Sequence, residues 1–205
     1  MLLNLFTLLT LSFSHPAQAG HVLSERSFSL EDRYAVKSVS DVFKDNILLT
    51  LAYTRGVVTK KTTMEDVRKP FEFDLIVPKG TVFAFHEDID AKYAGKTVQT
   101  TTAHFNSQER FESDGYLVGD GVCHLASLIY WVARDAGLEA VAPTNHNFMA
   151  IPEVPKEYGV AIFYMPGQHG SNSLQNLYVT NTIEKDITFD FCYDGENLKI
   201  AARQV

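Results

Sequence analysis

Cys123 follows Gly119-Asp120-Gly121-Val122 directly and opens a run whose apolar residues recur at helical spacing. A thiol at a helix start faces unpaired amides and the positive end of the macrodipole, which favour the thiolate and can also hold a developing oxyanion. A thiolate nucleophile needs a partner to carry the proton to the leaving group, most often an imidazole, and His146 in Thr144-Asn145-His146-Asn147 is the candidate. The chemistry this predicts is acyl transfer or amide hydrolysis, with attack by Cys123 and proton transfer by His146. Asp190 shares one face of a later strand with Cys192, and that face would have to turn toward His146 for Asp190 to orient the ring. Gly119, Asp120, Gly121, His124 and Asn147 flank the pair and are the expected substrate contacts, the glycines because they admit a close approach to the backbone. Against chemistry stand two plainer expectations, a packed cysteine and a Cys123–Cys192 disulfide closing a long loop. His124 and His146 without a repeated ligand spacing make a poor zinc signal, and no cofactor is called for. His86, His104 and His169 lie in polar stretches and are expected at the surface.

These residues need elements to hold them. Val122 to Ala136 places Val122, Leu125, Ala126, Ile129, Val132, Ala133 and Ala136 on one face, which predicts a core-facing helix closed by Gly137. Short β-like runs follow at Phe148 to Ile151, Val160 to Tyr164, Leu177 to Thr182, Ile187 to Cys192 and Leu198 to Ala201, with Asp194-Gly195 a strong hairpin signal between the last two. Upstream, Phe71 to Val77 and Thr81 to Phe85 read as a hairpin about Pro78-Lys79-Gly80. Asn46 to Val58 fits a helix or a strand, and residues 86–120 read as loops with short elements. The predicted class is α+β, a central helix bearing Cys123 on a mainly antiparallel sheet. Residues 71–205 form this domain and residues 20–70 a partly helical N-terminal arm.

Composition narrows the function. The 205 residues carry 25 acidic and 18 basic side chains, a net charge of −7 and 45% hydrophobic residues, enough for a core that needs no metal or disulfide. No basic run exceeds Lys60-Lys61, which argues against nucleic acid. Leu2 to Phe13 is almost wholly apolar and is followed by Pro16 and Ala17-Gln18-Ala19, the layout of a signal peptide over residues 1–19 cleaved after Ala19. The run is shorter than the roughly 20 residues a spanning helix needs. An extracytoplasmic protein without a stable membrane span is therefore expected, in the periplasm or secreted.

Gly119-Asp120-Gly121-Val122-Cys123-His124-Leu125-Ala126-Ser127, a helix ending in Ala136-Gly137-Leu138, and then Asn145-His146-Asn147 resemble the VanW-like family, whose pattern is G-G-G-[IV]-C-Q, a helix ending A-G-L, a histidine and a β-rich tail. Val154-Pro155, Val160 to Tyr164, Leu177 to Asn181, Asp194-Gly195 and Leu198 fit that tail, so the likeness covers roughly residues 115–200, and Asp45 to Tyr53 resembles an upstream segment of one branch. The order of helix-borne Cys and later His is also similar to transglutaminase-like and papain-like sites. The family takes its name from an accessory gene of vancomycin-resistance clusters, and the resemblance implies an exported cell-envelope protein that meets peptidoglycan or its stem peptides. Three departures stand out: Asp120 for the middle glycine, His124 for the glutamine, and Val160 where many members carry an acid. If that acid orients the histidine, Asn145, Asn147 or Asp190 must replace it here, or the site binds without turnover. An enzyme on peptidoglycan peptides and a non-catalytic binding module for cell-wall peptide or an envelope partner are both open on the sequence.

Overall fold

The structure, a computed structural model, describes residues 20–115 and 117–205, so the expected signal peptide lies outside the described residues. Strand β1 (His21–Ser29) is followed by helices α1 (Lys37–Thr54) and α2 (Met64–Val67) and strands β2 (Phe71–Val77), β3 (Val82–Ala84) and β4 (Val98–Thr100). Helix α3 (Val122–Asp135), strand β5 (Glu139–Val141), helix α4 (His169–Asn172) and strands β6 (Tyr178–Thr180), β7 (Ile187–Tyr193) and β8 (Asn197–Gln204) complete the order. One sheet runs β1-β8-β7-β2 and is antiparallel throughout; the other runs β4-β3-β6-β5 and is mixed, because β3 and β4 are parallel. The class is α+β as expected, without support for a transglutaminase-like or papain-like arrangement.

Helix α3 lies against β1, β8, β5 and α1. Its periodic face sets this position: Val122, Leu125, Leu128, Ile129 and Val132 are each 4% exposed or less. At about 2 kcal/mol for each buried aliphatic side chain, that face contributes roughly 10 kcal/mol of gross transfer free energy before chain entropy is subtracted. Gly137 closes the helix at φ 78°, as its place in the sequence predicts. The Asp194-Gly195 hairpin joins β7 to β8, also as expected.

Upstream of α3 the structure overturns one expectation and decides another that was open. β2 and β3 are not a hairpin: β2 pairs with β7 in one sheet and β3 with β6 and β4 in the other, so Pro78-Lys79-Gly80 carries the chain between sheets. Strand β1, in the N-terminal arm, pairs along its length with β8. Asn46 onward is the second half of α1, where Ile47, Leu48, Leu49 and Leu51 are all buried. A helix buried on several sides loses the one-sided period that marks helices in sequence, which explains the ambiguity. Thr50 and Thr54 in that stretch donate their hydroxyls to the carbonyls of Asn46 and Thr50, at 2.8 and 2.9 Å.

Candidate functional site

Cys123 is the second residue of α3, and its sulfur is already engaged. It accepts the N–H of Ile162 at 3.3 Å and donates to the Ile162 carbonyl at 3.6 Å. One helical turn on, Ser127 donates to the Cys123 carbonyl at 2.7 Å and accepts the N–H of Val160 at 2.9 Å. The amides of Ala161 and Phe163 go to the carbonyls of Thr144 and Gln175. Residues 160–163 thus look like a strand in sequence, with their alternate amides satisfied by side chains of α3 instead of a ladder. Burial pushes the Cys123 thiol up to about 11, the Ile162 N–H opposing and Asp120 adding to the rise. The helix-end field is worth about 0.3–1 kcal/mol, and burial outweighs it. These hydrogen bonds and the raised pKa differ from the ready thiolate expected at this helix start.

His146 lies on a loop rather than ahead of a strand, since Phe148 to Ile151 joins neither sheet. Its Nδ1 is 3.1 Å from the Met149 carbonyl and its ring centroid 4.0 Å from that of Phe148. A carbonyl only accepts, so Nδ1 carries the proton and Nε2 is left as an acceptor. Burial lowers the pKa of the ring, the Met149 carbonyl opposing, so the imidazole is neutral at pH 7. Among the described residues no hydrogen bond joins His146 to Cys123. Asn145 donates to the Lys156 carbonyl at 3.3 Å, and a Cβ on Gly159 would come within 3.1 Å of the His146 carbonyl oxygen and 3.3 Å of Asn145 Oδ1. Val160 is fully buried.

His124 packs edge-on against Phe43 of α1 at 5.0 Å and lies 6.3 Å from the His146 ring. It is 2% exposed, its Nδ1 has no partner among the described residues, and burial lowers its pKa to about 3, with Arg33 and His146 adding to the fall. The glycines before Cys123 serve the fold rather than an incoming substrate. A Cβ on Gly121, at φ 96°, would sit 2.6 Å from the Phe43 carbonyl oxygen, so glycine is what lets α1 reach the start of α3. Gly119 abuts Phe105 in the same way, at 3.1 Å. Asn46 of α1 fixes the loop between them: its Nδ2 donates to the carbonyls of Glu112 and Asp120, at 3.0 and 2.8 Å, and its Oδ1 accepts the Glu112 N–H at 2.9 Å. The Asp120 carboxylate accepts the N–H of Asp114 at 2.9 Å, and burial raises it to about 6.

Asp190 does not meet His146. It is bound to Arg203 at 2.8 Å and lies across the β2–β7 ladder from Asp74. Cys192 is two residues along the same strand, 3.5 Å from a Glu72 carboxylate oxygen, and both cysteines are free, which removes the disulfide. His86 is buried, contrary to expectation, with Nε2 3.0 Å from the Gln175 carbonyl and Nδ1 3.2 Å from Asn176 Nδ2. His104 sits between Glu109 and Glu87 at 2.6 and 3.2 Å, and the exposed His169 is held by the buried Asp88.

What the fold does build is a pocket of about 250 Å³ between residues 146–151 and 154–159, lined among others by His146, Phe148, Met149, Ile151, Val154 and Lys156. Phe148 is 77% exposed and Met149 43%, an unusual use of large apolar side chains. Arg33, ahead of α1, anchors the loop. It is wholly buried, lies over the Phe28 ring at 4.1 Å, and donates to the Pro152 carbonyl at 3.3 Å and to Glu153 at 2.7 Å, where the backbone is left-handed at φ 66°. Of the sequence candidates, His146 and Asn147 line this pocket and His124 packs behind His146; Cys123, the 119–121 loop and Asp190 do not line it. Arg33, Phe43 and Phe148 were not legible as site residues: a lone arginine and two phenylalanines have no spacing that signals them.

No curated protein and no solved structure matches this chain. A family model described as VanW like protein matches residues 73–203, from the middle of β2 almost to the end of β8 and across the whole of α3 and the pocket loop. With the glycine-flanked cysteine helix and the β-rich tail in place, the chain belongs to the VanW-like family.

Proposed function

We propose that this protein is an exported cell-envelope binding module that takes cell-wall peptide in the pocket formed by residues 146–159, and that it does not turn its ligand over. The observation that carries this reading is the state of Cys123, whose sulfur is spent on the main chain of Ile162 and whose thiol is driven up to about 11 by burial. A cysteine hydrolase or acyltransferase would need that sulfur ionised and paired with His146. His146 instead donates its Nδ1–H to the Met149 carbonyl and lines the pocket. Export is supported by the apolar run Leu2 to Phe13 followed by Ala17-Gln18-Ala19.

Sedimentation with purified peptidoglycan tests this. Wild type and Cys123→Ala are expected to be retained equally, Phe148→Ser to be retained less, and no soluble fragment to be released by any of them. Release of peptide by wild type and not by Cys123→Ala would establish the enzyme instead, and failure of wild type to sediment would remove the wall as its target.

A further inference from the structure

The lining of the pocket specifies more than an apolar surface. Its walls are apolar side chains, Phe148, Met149, Ile151, Val154 and Pro155, and no acidic residue lines it. Three polar side chains line it, His146, Asn147 and Lys156. Lys156 forms no ion pair among the described residues. His146 is 6% exposed, and its Nε2 makes no hydrogen bond among the described residues; the Met149 carbonyl holds the proton on Nδ1, so Nε2 presents a lone pair. Beside the Asn147 amide, which can donate and accept, the pocket lining therefore offers one unfilled acceptor on His146 and one cation on the exposed Lys156. A cationic ligand is disfavoured by Lys156 and by the absence of any lining carboxylate. A ligand with only acceptors leaves Nε2 unsatisfied, which costs more than the bond is worth when made. At about 250 Å³ the space falls below the range of roughly 300–1,000 Å³ typical of drug-sized ligands, so the ligand is a small piece of something larger.

We infer that the pocket recognises the C-terminal end of a peptide, two small apolar residues long, with its last amide N–H accepted by His146 Nε2 and its free carboxylate paired with Lys156. An amide N–H one residue from a terminal carboxylate supplies both missing partners at once, and short aliphatic side chains match the walls. This rests on the binding-module reading and names the part of the wall peptide that is read.

The test uses the whole mature chain and three soluble probes followed by calorimetry: N-acetyl-Ala-Ala as the free acid, the same compound as its C-terminal amide, and the free acid with the last amide nitrogen methylated. The free acid is expected to bind tenfold or more tighter than either analogue, the range for losing a charged or a buried hydrogen-bond partner. Lys156→Met should abolish the preference for acid over amide and keep the preference against methylation; His146→Phe should do the reverse. A merely structural role would weaken all three probes together. The ligand-side comparison stands even where a variant fails to fold. Acid and amide binding within twofold of each other, equal binding of the methylated probe, or no binding of the acid would each overturn the inference. Peptidoglycan retained by the protein but not displaced by the free acid would overturn it while leaving the binding-module reading intact; the expected probe pattern without retention would do the opposite.

Discussion

His124 gives the sharpest physical test of this structure. Its ring is 2% exposed, sits on Phe43, has an unpartnered Nδ1, and is held down to about 3 by burial. In the unfolded chain the same ring titrates near 6.5. Between those two values the unfolded state holds a proton that the folded state refuses, so the protein is favoured above pH 6.5 and loses stability as pH falls toward 3. Each pH unit below 6.5 costs about 1.4 kcal/mol, so moving from pH 7 to pH 5 removes about 2 kcal/mol through this one group. In a domain of this size that corresponds to about 4–8 °C in Tm. His124→Phe removes the titration, keeps a ring against Phe43, and deletes a buried donor–acceptor group without partners, so its stability at pH 7 should equal or exceed that of wild type. Urea unfolding at both pH values, followed by the emission of the single tryptophan, Trp131, gives the comparison directly. His86 and His146, also lowered by burial, are present in both proteins and largely cancel. The reasoning is refuted if wild type and His124→Phe lose the same stability, within about 0.5 kcal/mol, on going from pH 7 to pH 5.

Three further outcomes follow from the same geometry. Alkylation of Cys123 by iodoacetamide at pH 8 should run about a hundredfold or more below that of an open thiol and still be rising above pH 9; an inflection below pH 8.5 would restore the nucleophile. Gly121→Ala places a Cβ 2.6 Å from the Phe43 carbonyl oxygen at a left-handed φ, and should cost about 3 kcal/mol or more in denaturant unfolding, whereas a loss under 1 kcal/mol would mean that α1 is free to back away. Asp190→Asn breaks only the pair with Arg203 and relieves the like charge of Asp74, so stability should move by no more than about 1 kcal/mol and retention on peptidoglycan should not change; loss of retention would tie this sheet face to the site.

What could be read in the sequence was what local pattern dictates. The one-sided period of α3, the glycine that ends it and the Asp-Gly hairpin each rest on interactions within a few residues, and each is where it was expected. The glycine-flanked cysteine and the histidine that follows it also identified the family correctly. Most of the failures involve partners far along the chain. β2 and β3 read as neighbours because a turn separates them, but the pairing is decided by β7 and β6, more than ninety residues later. The glycines before Cys123 were read as an opening for substrate; Gly121 is met by Phe43 of α1 and Gly119 by Phe105, neither of which a local signal places there. The character of the thiol was inferred from the helix field alone, and what sets it is burial against residues 160–163. Phe148 and Met149 were read as the start of a short β-like run; they join neither sheet, and their exposure is the feature that marks the pocket.

The pairing of β1 with β8 has a consequence for how the molecule comes into being. Ser27 and the Leu198 carbonyl it bonds are 171 residues apart, and every rung of that ladder joins one end of the described chain to the other. A ribosome delivers β1 well before β8, so the strand waits with its amides and carbonyls unmet while the residues between them are made. The first sheet then closes only in one late, long-range step. Any machinery that handles the nascent polypeptide receives a threadable chain with an open edge, and a fragment trimmed to residues 73–203 would leave β8 with that same edge bare and ready to join another copy.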